Sequence, residues 1–178
     1  MKHYKDNFKG YLQDLGDRKP APGGGSAVCL VFCLGVGLVA KAVKYSISLK
    51  SKDTCQLTNN KELKKSLTNL EALKKKIYPY IDKDGDIFEK VMLTKGQKRA
   101  RFVKESNQII LNTKDACRKV FSLAKEIESS IKKSIISDFN IGLDFIKSTA
   151  KGCEANLKAN RLLITQIKER LHRLKTKE

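Results

Sequence analysis

Pro20-Ala21-Pro22-Gly23-Gly24-Gly25-Ser26 runs directly into an unbroken nonpolar stretch from Ala27 to Ala40. The prolines stiffen a turn and the glycines strip it of side chains. Ser26 stands where a helix N-cap is wanted, and the nonpolar stretch supplies the helix. The first N–H groups of such a helix have no partner inside it. They point outward with the positive end of the dipole, and glycine lets a ligand approach the main chain. The turn therefore suits a small-molecule or anion seat; it also suits a plain tight turn with a serine cap.

Outward from this point the pattern is helical throughout. Residues 3–16 place Tyr4, Phe8, Tyr11, Leu12 and Leu15 on one apolar face, with Gly16 set to end the helix. In the second helix, expected to reach about Leu49, Ser26, Cys29, Cys33, Gly37 and Ala40 form a stripe of small residues that admits another backbone. A helix apolar on all sides belongs in a core. Residues 50–60 read as a polar connection. A third helix is predicted over Lys61–Ile77, broken at Tyr78-Pro79. Further helical patterns run over residues 98–132 and from Ser134 or Ser137 to about Leu174. On the last, Asp138, Gly142, Thr149, Gly152 and Asn156 share a narrow small or polar face.

Between them, Ile77, Ile81, Asp84, Phe88 and Val91 fall on one helical face, so Asp84 interrupts an apolar stripe. Burying a carboxylate is costly unless it is paired, and desolvation raises its pKa, which suits a general acid/base. A helix cap or a lysine partner would also account for Asp84. Asp82-x-Asp84-x-Asp86 copies the start of a calcium loop. Ile87 in place of glycine and Leu93 in place of glutamate exclude that reading.

The chain has 178 residues, 40% hydrophobic and 31% charged, which suits one soluble domain over 1–178. The fold class expected is all-α: a bundle of about five to six helices around a long, central apolar one. Net charge is +18, which calls for an anionic partner. The lysines scatter and Trp is absent, so the pattern argues against nucleic acid. The five cysteines have no redox or zinc spacing, so no metal site is expected, and reduced thiols fit a cytoplasmic protein. Ala27–Ala40 is shorter than the roughly 20 apolar residues of a membrane span, so no membrane association is expected.

PAPGGGSAV leading into a small-residue helix resembles the formiminotransferase-cyclodeaminase and methenyltetrahydrofolate cyclohydrolase family. Asp82, Asp84 and Phe88 match its D-x-D-x-x-x-F element, and Ser137-Asp138 and Asn156-Leu157-Lys158 resemble its later SD and N-V-x-I-N elements. The family's proline turn near Lys95–Arg99, its lead-in before SD, and its asparagine and basic segment near Tyr45–Lys50 are missing. The resemblance implies an all-helical homodimer with its site between subunits. It also implies one-carbon chemistry on 5,10-methenyl- or 5-formiminotetrahydrofolate, with no cofactor beyond that substrate. In this reading Asp84 transfers protons, with Asp82 and Asp138 as electrostatic or hydrogen-bonding partners. Gly23, Gly24, Gly25 and Ser26 seat part of the folate, and Asn156 orients it. The Lys-rich surface suits a polyglutamylated tail. Two alternatives remain open: a non-catalytic folate-binding or scaffold descendant, and a basic helical nucleic-acid binder.

Overall fold

A computed structural model describes residues 5–47 and 54–175, and every regular element among them is helical. In order these are α1 (Lys5–Gly16), α2 (Gly24–Ser46), α3 (Thr54–Ile77), α4 (Tyr80–Leu93), α5 (Gly96–Ile127) and α6 (Ile136–Lys175). Two short 3-10 turns, Glu128–Ser130 and Lys133–Ile135, lie between α5 and α6. The all-α expectation holds. The part of the first predicted helix at residues 3 and 4, including Tyr4, and the readings on residues 48–53 lie outside the described residues.

Three boundaries differ from expectation. Helix α3 begins at Thr54, so most of the stretch read as a polar connection is helical; Gln, Thr and Asn cost a helix only roughly a few tenths of a kcal/mol each and do not forbid it. Helix α2 begins at Gly24, two residues before the expected serine cap. The link from α4 to α5 is only Thr94-Lys95, and Gly96 takes the left-handed backbone (φ 58°) that glycine tolerates best. The full 23 residues of α2 also overturn the length argument drawn from the shorter nonpolar stretch. By length and composition α2 is able to cross a membrane; half of its most apolar 18-residue stretch is buried within the protein.

The chain divides into two compact units. One comprises Cys29–Pro79 and Asn112–Lys151. In it Phe32, Val36, Val39 and Val43 of α2 are fully buried, as are Leu70 and Ile77 of α3, Val120 of α5, and Phe139 and Ile146 of α6. Each such side chain contributes about 1.5–3 kcal/mol of burial. Helices α2 and α6 approach most closely at two glycines. A Cβ on Gly35 would lie 2.8 Å from the Gly142 carbonyl oxygen, and one on Gly142 2.8 Å from that of Gly35. The expected close-approach stripe is thus displaced: Cys29 and Ala40 are buried core residues, and Gly35 is the contact point. Ser46 Oγ donates to the Ala42 carbonyl at 2.8 Å and accepts from the Lys132 N–H at 2.9 Å, which fixes the segment after α5.

The other unit comprises the chain up to Val28, Tyr80–Leu111 and Gly152 onward. Its core holds Ile87 and Val91 of α4, Val103, Ile109 and Ile110 of α5, and Cys153 and Leu157 of α6. Gly152 leaves room for Val28, onto whose Cγ1 a Cβ would intrude. The face expected of α1 is not buried: Leu12 is 60% exposed, with Phe8 and Leu15 also open.

Candidate active site

Helix α4 presents Ile87 and Val91 to the core, and the same helical spacing turns Asp84 inward with them. Asp84 is only 6% exposed. Its carboxylate abuts the first turn of α2, where a Cβ on Gly25 would overlap both oxygens. Any side chain there would displace the carboxyl, so the glycine is a steric requirement. The Ser26 backbone N–H donates to Asp84, and Ser106 Oγ donates to Asp84 Oδ1 at 3.2 Å. Asp84 thus closes the N-terminus of α2, the positive end of its dipole. Burial pushes its pKa above the ordinary carboxylate value, and the hydrogen bonds from Ser106 and Ser26 offset part of that rise.

Ser26 itself is not the N-cap. It lies inside the first turn, fully buried. Gly23 precedes the helix, and its carbonyl accepts the Ala27 N–H at 3.0 Å. The capping acceptor comes instead from Asp84, a side chain distant in sequence, which local reading of a serine before an apolar run does not anticipate. Asn156 on α6 reaches the same turn. Its Nδ2 donates to the Gly152 carbonyl at 3.2 Å, and a Cβ on Gly24 would stand 3.4 Å from that nitrogen.

Beside this cluster is a cavity of about 290 Å³, lined by Tyr11 and Asp14 of α1, Ala21 and Pro22 of the turn, Ser26, and Ile81, Asp82, Gly85, Asp86 and Glu89 of α4. The Tyr11 hydroxyl lies 3.1 Å from Ser26 Oγ. Asp84 is not among the lining residues. Ser26, whose N–H it accepts, and Gly85, its neighbour in sequence, do line the cavity. In a chain of net charge +18 this cavity is lined by four carboxylates and by no lysine or arginine; Lys19, outside the lining, is ion-paired with one of them, Asp14, which leaves Asp82, Asp86 and Glu89. It is therefore suited to a cationic or donor-rich group.

The structure thus gathers Gly24, Gly25, Ser26, Asp84 and Asn156 around the start of α2, with Gly23 immediately ahead and Asp82 on the cavity wall. Asp138 belongs to the other unit, where its Oδ2 holds the Lys41 ammonium at 2.6 Å and raises that group's pKa. Sequence reasoning missed Ser106, Tyr11, Asp14 and Glu89. Ser106 carries a legible signal: it interrupts the buried Val103/Ile110 stripe of α5 as Asp84 interrupts that of α4. Tyr11 was read only as part of an apolar face. Among the described residues no three His, Cys, Asp or Glu side chains are grouped to hold a metal ion. A second cavity of about 400 Å³, between Leu73 and Lys76 of α3 and Lys119 and Leu123 of α5, contains none of the candidate residues.

The sequence matches the family described as Formiminotransferase-cyclodeaminase over residues 7–177. The crystal structure of formiminotetrahydrofolate cyclodeaminase from Thermotoga maritima is similar to this fold, with a TM-score of 0.79 and 19% sequence identity. The match covers 94% of this chain and 84% of that one. No curated protein matches the sequence.

Proposed function

The chain belongs to the formiminotransferase-cyclodeaminase family, and from that premise we propose that it is a one-carbon folate enzyme. Its substrate in this reading is 5,10-methenyltetrahydrofolate or 5-formiminotetrahydrofolate, processed by carboxylate acid/base catalysis with no further cofactor. As a cyclohydrolase it adds water to the cationic methenyl carbon, and the adduct opens to 10-formyltetrahydrofolate. As a cyclodeaminase it closes the ring through attack of N10 on the formimino carbon, and ammonia leaves. Both directions need one group to move a proton and negative charge beside a cationic bridge.

Asp84 is the proposed proton carrier. Its burial and its raised pKa support that role, because a carboxyl whose pKa moves up from the ordinary value toward the working pH is better able to both take and give up a proton. Asp82, on the cavity wall, supplies electrostatic or hydrogen-bonding support; Asp138, ion-paired with Lys41 in the other unit, carries no step of this reading. Gly23, Gly24, Gly25 and Ser26 seat part of the folate, and Asn156, against Gly24, orients it. The unbroken family match supports treating residues 1–178 as one domain of this type. We place it in the cytoplasm, with the Lys-rich surface holding a polyglutamylated tail. A homodimer belongs to the same reading. Leu34 and Tyr45 are exposed and Leu30 and Leu38 partly so, which leaves one apolar side of α2 for a partner subunit to cover.

The seating of Asp84 against Gly25 carries this proposal. The test is to mix the purified protein with each folate, following loss of methenyl absorbance and release of ammonia. Asp84→Asn should lower turnover by roughly 10²–10⁴-fold. Wild type that consumes neither folate sinks the enzymatic reading. One observation favours a second reading, a non-catalytic folate binder: Asp84 is not among the residues that line the cavity. Folate binding without turnover would decide for it.

A further inference from the structure

The ten residues lining the acidic cavity offer side-chain hydrogen-bond donors at two places only, Tyr11 and Ser26. As carboxylates Asp82, Asp86 and Glu89 accept and do not donate, and Asp14 already accepts from Lys19; Ala21, Pro22, Ile81 and Gly85 bring no polar side chain. Ser26 is fully buried and its hydroxyl is 3.1 Å from that of Tyr11. Tyr11 is half-buried and opens onto the cavity. With Ser26 donating to the tyrosine oxygen, the phenolic hydrogen is free to turn toward a ligand. A complementary ligand presents one acceptor to Tyr11 and a row of N–H donors to the carboxylates. At about 290 Å³ the cavity lies at the bottom of the roughly 300–1,000 Å³ range of small-molecule sites, so it accepts a ring system rather than an elongated molecule with a tail.

We propose that Tyr11, with its hydroxyl directed by Ser26, is a specificity residue that reads the ring carbonyl oxygen of the pterin, while the neighbouring carboxylates take the ring N–H and exocyclic amino group. This rests on the folate reading above and assigns it an orientation: the pterin ring enters the acidic cavity and the anionic tail lies outside it. Replacing the carbonyl with an amino group sets a donor against the phenolic hydrogen. The hydroxyl pair must then reverse or lose a hydrogen bond.

The test is calorimetric titration of the full chain with folic acid and with its 4-amino-4-deoxy analogue, using wild type, Tyr11→Phe and Ser26→Ala, with folate turnover assayed alongside. Tyr11→Phe keeps the ring and removes the hydroxyl. It should shift the ratio of the two affinities toward the amino ligand by about tenfold. Ser26→Ala should shift the ratio in the same direction by less, and it carries the test if Tyr11→Phe fails to fold. A purely structural role for Tyr11 would weaken both ligands equally, and an unchanged ratio overturns the proposal while wild-type turnover leaves the folate reading standing. Wild type that neither binds nor consumes any folate overturns both.

Discussion

One methyl group at Gly25 would overlap the carboxylate that closes helix α2. Gly25→Ala should therefore cost about 1–3 kcal/mol, read as a lower urea midpoint with an unchanged slope. The same carboxyl makes stability depend on pH. In the folded protein Asp84 keeps its proton to higher pH than an unfolded aspartate, whose value is near 3.8. The folded state then binds more protons in that window. Asp84's contribution is fully present below the ordinary value and declines as pH rises through the raised one. Asp84→Asn should flatten that decline in a series of thermal melts across acid pH. The inward aspect of Asp84 was legible, because it broke a stripe of Ile77, Ile81, Phe88 and Val91. Its role as the cap of another helix was not, because a tertiary acceptor replaced the local serine. Asp82 and the glycines were likewise legible from motif spacing, whereas Tyr11 was masked by the apolar residues beside it.

At the scale of elements, helix existence and type could be read from periodicity, whereas boundaries could not, because weak helix formers are tolerated inside a helix. Helix α3 starts within the polar stretch, and the α4–α5 link shrank to two residues. The stripe of small residues on α2 was recognised, but the facing glycine was misassigned. Position 35 meets Gly142, and spacing alone does not say which of several small residues faces a neighbour. Alanine forms helices better than glycine by about 1 kcal/mol, so the environment decides the sign of each substitution. Gly142→Ala would meet the Gly35 carbonyl and Val39, and should destabilise by about 1–3 kcal/mol. Gly10→Ala on α1 has open space around it and should stabilise by about 0.5–1 kcal/mol. Parallel thermal melts of the two variants should move in opposite directions.

Across the whole molecule, charge is unevenly deployed: in a chain of net charge +18 no lysine lines the cavity beside Asp84, and Lys19 meets it only through its ion pair with Asp14. Mutual repulsion should make the fold sensitive to screening. Raising NaCl from about 20 to 200 mM should lift the unfolding midpoint by about 2–4 °C, equivalent to roughly 1 kcal/mol. A substitution of paired Lys41 by Met should leave most of that response intact, because its exposed ion pair with Asp138 contributes little. Net charge was fully legible in the composition; its absence from a particular wall was not, because that depends on which faces of α1 and α4 come together. The unit that holds the cavity is also assembled from three separated stretches, the last beginning at Gly152. On a ribosome the glycine turn and every residue lining the cavity are made before Asn156, the side chain that stands against Gly24. A nascent chain stalled between Glu89 and Gly152 would therefore carry the cavity lining without the α6 amide that braces the turn.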